Sequence, residues 1–442
     1  MDHILGRHNS LSPLPGYRSS SLACTPPYSA EPHAQEQRIA LNRLRRRPSG
    51  DFVKHSRSGG LSLWLSRQDS SANLPAYGCG DFVEGTVTLS KPETTTSVEV
   101  RIEGSLRLKE VAEGGTTATK LCASTVTLWG RDAQPGQCPP SLPFSLALPP
   151  SFTDGRDTYP LPPTHEAQLS GVPGFHAVIE YIITAVAQKG RSSGLLRSSN
   201  STVSTPFVYY PRSRPAVPLP PPILRSPGPH GMLSAADWRR YETVMTAKVA
   251  GVKDITARFY IPTARVFSMA EPIPFHLIFA STPSSLAAFL PFGPTGARTG
   301  ARQHTRVQLL RQTNVDARGQ LVLGTKTDIW RTVEIGDAAF RHAGDGPDWT
   351  SYSGEICVSD QIRIGGFKAG GLTIRDFIVL SMTPPDPSRA PFHELRQVVP
   401  VRLTTDSWES DGAGQTFSAS DYTIPLITSD PRLLDAPIPY GL

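Results

Sequence analysis

No apolar run in the chain approaches the ~20 residues that a bilayer-spanning helix needs, so any association with a membrane is expected to be peripheral. No apolar leader opens the sequence. Its five cysteines, Cys24, Cys79, Cys122, Cys138 and Cys357, are odd in number and form no CxxC pair. That pattern argues against a disulfide framework and for a reduced, cytoplasmic setting. HExxH, P-loop, GxSxG and Cys/His metal spacings are all missing, so no enzyme activity, metal or cofactor is expected. His165, His176 and His276 have no partner adjacent in sequence and read as structural residues. Excess charge is scarce beyond the N-terminus: residues 1–60 carry nine basic against four acidic side chains, which is +5 of the overall +6. A nucleic-acid-binding domain would show a basic face in its folded part, so nucleic acid is not an expected partner. Asn200-Ser201-Thr202 fits a glycosylation sequon but, without an export signal, reads as a polar loop.

Helical periodicity is scarce as well, while glycine (37) and proline (43) are abundant, which implies many turns and excludes a helical protein. Where apolar residues recur they do so with period two. In YGCGDFVEGTVTL, Tyr77 to Leu89, Val83, Val87 and Leu89 alternate with polar residues after a corner built from Gly78, Gly80 and Asp81, predicting a turn and a strand wet on one face. Val98, Val100 and Ile102, then Leu106 and Leu108 beyond Gly104, repeat the beat. Ile179, Tyr181, Ile183, Ala185 and Ala187 fill one parity of HAVIEYIITAVAQ and Val178, Ile182 and Val186 the other, predicting a central strand buried on both faces. The fold class expected is all-β, with sandwiches rather than α/β layers.

At 442 residues the chain exceeds the roughly 250–300 residues that one core supports, so two domains are expected. Residues 1–60, rich in Ser, Pro and Arg, read as a disordered basic tail. A first β-sandwich spans 61–212, a proline-rich linker 213–236, a second sandwich 237–428 and a C-terminal tail 429–442. In the second unit GLTIRDFIVLSM is the strongest central strand, and Ala338 to Trp349 reads as an exposed excursion.

On that architecture, Tyr77, Gly80, Asp81, Val83, Gly85, Val87 and Leu89, the strand around Gly104, Leu142-Pro143-Phe144-Ser145-Leu146 with Leu148-Pro149-Pro150, and Ile179, Tyr181, Ile183 and Ala185 resemble, in order, motifs of the arrestin superfamily, in particular the arrestin-like (α-arrestin) proteins of fungi. Ile273 to Leu277, Gly365 to Phe367 and DFIVLSMTPP extend the resemblance more loosely, over about residues 61–427. It implies two immunoglobulin-like β-sandwiches without an active site. It also implies an adaptor that engages membrane transporters or receptors and recruits a HECT-type ubiquitin ligase through WW domains, leading to cargo ubiquitination and endocytosis. Such a protein would sit in the cytoplasm, peripherally at the plasma membrane or endosomes. A ligase-independent endosomal trafficking or signalling scaffold of the same fold is the alternative.

The tail supplies peptides of the type a WW groove takes, in which a proline turn presents a tyrosine. Leu14-Pro15-Gly16-Tyr17 is an LPxY match, and Pro26-Pro27-Tyr28 is a degenerate copy eleven residues on. Two weak copies on one tail gain by effective concentration. Arg43, Arg45, Arg46 and Arg47 precede Ser49, an arrangement for a basophilic kinase. The same basic patch would hold anionic lipid until a phosphate, or a phosphoserine reader, intervened. Its plainer reading is a solvated basic run or a nuclear localisation signal. Arg212 to Pro218 fits an SH3 ligand, although a bare spacer suits its position better.

Overall fold

The computed structural model describes residues 35–39, 50–69, 72–111, 115–170, 174–190, 200–221, 237–294, 303–316 and 328–409. Among them the regular elements are almost all strands. The N-terminal half contributes β1 (Glu36–Ile39), β2 (Gly50–His55), β3 (Leu61–Gln68), β4 (Ala76–Tyr77), β5 (Phe82–Leu89), β6 (Thr95–Glu110), β7 (Thr116–Gly130), β8 (Ser141–Ala147), β9 (Ser151–Asp154), β10 (Asp157–Pro160), β11 (His165–Leu169), β12 (Phe175–Lys189), β13 (Ser201–Tyr209) and β14 (Arg212–Pro215). The C-terminal half contributes β15 (Trp238–Met245), β16 (Ile255–Pro262), β17 (Val266–Ser268), β18 (Ile273–Ala280), the short helix α1 (Pro283–Phe289), β19 (Thr305–Asp316), β20 (Asp328–Asp345), β21 (Trp349–Val358), β22 (Lys368–Ala369), β23 (Leu372–Met382) and β24 (Leu395–Thr404). No described helix is long and apolar enough to cross a membrane.

Period-two sequence becomes period-two burial. Leu61, Leu63 and Leu65 of β3 and Val83, Val87 and Leu89 of β5 point into one core while Trp64, Thr86 and Thr88 face outward. A four-stranded sheet ordered β2-β3-β5-β8 and a sheet ordered β4-β13-β12-β6-β7 bury their apolar faces in one cluster, giving a sandwich-like architecture. β12 is central: its whole length pairs with β6, and on the other side Phe175–Ile179 pairs with β11 and Tyr181–Ala187 with β13. Its second face is wetter than its composition predicts, because Val178 and Ile182 are half-buried and only Val186 is buried on that parity. Polar neighbours such as Glu180 and Thr184 share that half-buried face.

The C-terminal half forms one ten-stranded curled sheet, β15-β16-β18-β21-β20-β19-β23-β24-β17 with β22 added to β23, around a second cluster that includes Phe259, Phe275, Phe279 and Phe392. The segment GLTIRDFIVLSM lies centrally, between β19 and β24. Ala338 to Asp345, expected as an excursion, continues β20 against β21, with a register shift between His342 and Gly344. Exposed Arg341 and Asp345 hid a strand whose wet face is simply charged.

Two boundaries also move. Glu36–Ile39 and Gly50–His55, inside the expected tail, are strands, and Arg212–Pro215, at the start of the expected linker, is β14. β1 pairs antiparallel with β14, from Glu36 opposite Pro215 to Ile39 opposite Arg212. β2 extends the four-stranded sheet beside β3, which places Lys54 opposite Leu63. Neither short strand has a hydrophobic beat of its own. Each is held by backbone pairing to a partner, and β1 also by ion pairs. Proline is tolerated in β14 because it closes a strand only four residues long.

Candidate functional site

Among the expected site residues, Leu14, Pro15, Tyr17, Pro26, Pro27, Tyr28, Arg43, Arg45, Arg46, Arg47 and Ser49 lie outside the described residues. Eight of the residues that carry the family resemblance, Tyr77, Gly80, Asp81, Gly85, Gly104, Pro143, Phe144 and Tyr181, lie within them, and seven resolve into two facing glycine–aromatic pairs and one corner. Gly104 on β6 stands opposite Tyr181 on β12. A Cβ at Gly104 would fall 2.5 Å from Tyr181 Cε1 and 2.8 Å from Cys122 Sγ, so the ring occupies the space a side chain would need. The Tyr181 hydroxyl donates to the Pro162 carbonyl at 2.6 Å, and burial raises its pKa well above the ordinary value. Burial likewise pushes the Cys122 thiol up to about 11, so it is a neutral packing group. Gly85 on β5 stands opposite Phe144 on β8, but a Cβ there would run first into the Trp64 carbonyl oxygen of β3 and would lie 3.0 Å from Phe144 Cζ. Pro143, one residue earlier, faces solvent.

Tyr77 and Asp81 form the corner, with Gly80 between them at φ 76°. The Asp81 carboxylate accepts from the Gly78 N–H at 2.7 Å, and its carbonyl accepts from the Leu148 N–H at 3.0 Å. Tyr77 meets Phe207 edge-on at 5.2 Å, and burial, then Asp81 and Glu84, raise its pKa. These residues pack and turn the frame of the fold.

What sequence reasoning missed is the seam where the halves meet. Ion pairs with little solvent exposure run along it. Arg402 Nε lies 2.6 Å from Glu36 Oε2, joining β24 to β1 across 366 positions of chain. Arg212 of β14 grips Asp406 with both ends of its guanidinium, Nε donating at 2.9 Å. Arg311 of β19 holds Asp376 of β23 at 2.8 and 3.0 Å and also donates to the Ile364 carbonyl at 2.8 Å. Around Asp406, the Ser213 N–H donates to Thr405 Oγ1 at 3.0 Å and the Asp406 N–H to the Ser213 carbonyl at 3.0 Å. Fork-shaped guanidinium on carboxylate is the geometry that fixes orientation as well as charge.

Apolar contact runs beside the charges. Ile364, Phe367, Ala369, Leu372 and Ile374 of the C-terminal half belong to the buried cluster of the N-terminal half. Phe367 meets His165 edge-on at 5.5 Å. Burial, followed by the Arg311 charge, lowers the His165 pKa to about 4, so this imidazole is neutral at ordinary pH. Tyr210 donates from its hydroxyl to the Arg363 carbonyl at 2.8 Å. Nothing local announces these pairings, because the ion-paired partners are 65 to 366 residues apart and each charge, taken alone, reads as a surface residue. Among the described residues no group of three or more His, Cys, Asp or Glu is placed to hold a metal ion.

The chain matches no protein-family model and no curated protein. The family resemblance therefore rests on the residues just described.

Proposed function

We propose that the protein is a non-enzymatic, arrestin-like adaptor of two immunoglobulin-like sandwiches, linking membrane transporters or receptors to a WW-domain ubiquitin ligase of HECT type. The observation that carries this reading is that its family motifs meet in the fold: the glycine of one makes room for the aromatic of another, Gly104 for Tyr181, and Gly85 faces Phe144 across the sheet. The sandwich-like, almost helix-free architecture supports the same reading. Fold alone does not establish function, so the adaptor role stands on the tail. Tyr17 and Tyr28 engage the ligase, the folded body engages cargo, and the protein works in the cytoplasm, peripherally at the plasma membrane or endosomes.

The test is binding of the full-length chain and its Tyr17→Ala/Tyr28→Ala variant to a tandem WW-domain protein. Tyrosine-dependent affinity in the micromolar range, with cargo ubiquitination lost in the variant, is the expected result. Equal binding by both chains, or none by either, would transfer the function to a ligase-independent trafficking scaffold.

A further inference from the structure

A cavity of about 70 Å³ opens at the seam, lined by Arg38, Arg212, Lys368 and Arg402 against a single carboxylate, Glu36. Two of these cations are matched, Arg402 by Glu36 and Arg212 by Asp406. The other two have no counter-ion among the described residues. Lys368 Nζ donates to the Tyr159 hydroxyl at 2.5 Å and lies 4.6 Å from the centre of the same ring, and that hydroxyl donates on to the exposed Asp157 carboxylate at 3.0 Å, which is not part of the cavity lining. Arg38 Nη2 is buried and has no hydrogen-bond partner among the described residues. The nearby Tyr209 hydroxyl offers no anion, since burial raises its pKa well above the ordinary value. The cavity thus carries a surplus of two positive charges between proline and leucine walls. A charge held there without a partner is costly, and the low local dielectric strengthens any counter-charge that enters. Water would satisfy a donor but leave the charge, and the volume exceeds the roughly 10–15 Å³ that one water needs.

We infer that this cavity binds one small inorganic anion, between halide and phosphate in size, on Arg38 Nη2 and Lys368 Nζ. The inference stands on the cavity and its charges and is independent of the adaptor reading. Bound there, the anion neutralises side chains from β1 of one half and β22 of the other, so occupancy ties the halves together.

Thermal unfolding of the full-length protein tests it, titrated with sodium chloride, bromide or phosphate at ionic strength held constant by a bulky organic sulfonate too large for the cavity. The expected result is a saturable rise in Tm with at least one small anion, on the order of 5 °C at a hundredfold excess over Kd. Arg38→Gln and Lys368→Met should each weaken the apparent affinity at least tenfold, while the exposed control Arg57→Gln leaves it unchanged. A Tm that follows ionic strength whichever anion is present would overturn the inference. So would a non-saturating rise that Lys368→Met leaves intact, since that is general salt exclusion. If Arg38→Gln fails to fold, Lys368→Met together with the choice of anion still decides.

Discussion

Gly104→Ala should destabilise the protein by about 1–3 kcal/mol, although alanine ordinarily favours a strand over glycine by roughly 0.5–1 kcal/mol. The new methyl would meet Tyr181 Cε1 at 2.5 Å, Tyr181 Cδ1 at 2.6 Å and Cys122 Sγ at 2.8 Å, closer than real side chains approach. Tyr181 cannot swing aside freely. It is fully buried, and its hydroxyl is tethered to the Pro162 carbonyl at 2.6 Å, a bond worth about 1 kcal/mol net. Urea unfolding of the single variant, of Tyr181→Leu and of the double variant isolates the clash, because a smaller residue at 181 relieves it. The cycle should show a coupling of at least about 1 kcal/mol, well beyond the ~0.5 kcal/mol scatter of independent sites. Gly130→Ala, with nothing within 4 Å of the added carbon, is the control and should be near neutral. A Gly104→Ala protein as stable as the parent, or an additive cycle, would refute the idea that these two motif residues are one structural unit.

Three further predictions concern the seam and two imidazoles. Asp406→Ala leaves Arg212 buried without its carboxylate and should cost about 3–5 kcal/mol, whereas Arg212→Met/Asp406→Leu should cost clearly less, as calorimetry of the pair will show. A chain truncated by residues 1–49 should melt below one truncated by residues 1–34, because the longer deletion removes β1 and Glu36 from Arg402; equal melting of the two would mean that β1 is not bound in solution. Buried His165 and His276, each with a pKa lowered from 6.5 to about 4, bind protons more readily when unfolded, so stability should be fully present above about pH 6.5 and fall as pH drops towards 4. His165→Asn/His276→Asn should flatten that limb relative to the parent in pH-dependent urea melts, and an unchanged slope would show that carboxylates alone cause it.

Period-two patterning made the sandwich strands legible wherever one face is dry, as in β3, β5 and β6, because alternation is then enforced by the core. It also found Gly85, Gly104, Phe144 and Tyr181, though as separate motifs rather than facing pairs. Legibility ended where pairing replaces burial. β1 has the sequence EQRI and β14 the sequence RSRP, and neither reads as a strand until the other lies beside it. β20 was hidden by its charged face. The seam charges were invisible because a salt bridge has no periodicity and its partners, such as Glu36 and Arg402, come from opposite ends of the chain.

Two kinds of contact hold the halves together, and their magnitudes assign them different work. Burying a side chain such as Ile364, Phe367, Leu372 or Ile374 stabilises by about 1.5–3 kcal/mol each. A buried ion pair contributes little beyond what apolar residues of the same size would give, because desolvation offsets most of the attraction. Adhesion therefore comes from the turn between β22 and β23, where a Cβ at Gly370 would already lie 3.0 Å from Leu106 Cδ2 of β6. The ion pairs act instead on choice of arrangement. A slipped or rotated seam would strand Arg212 and Arg402 away from their carboxylates, and each such loss is larger than the net gain of forming the pair. Apolar packing tolerates small shifts, whereas paired guanidinium and carboxylate do not, so the charges select one orientation of the halves that hydrophobic contact alone would leave loosely defined.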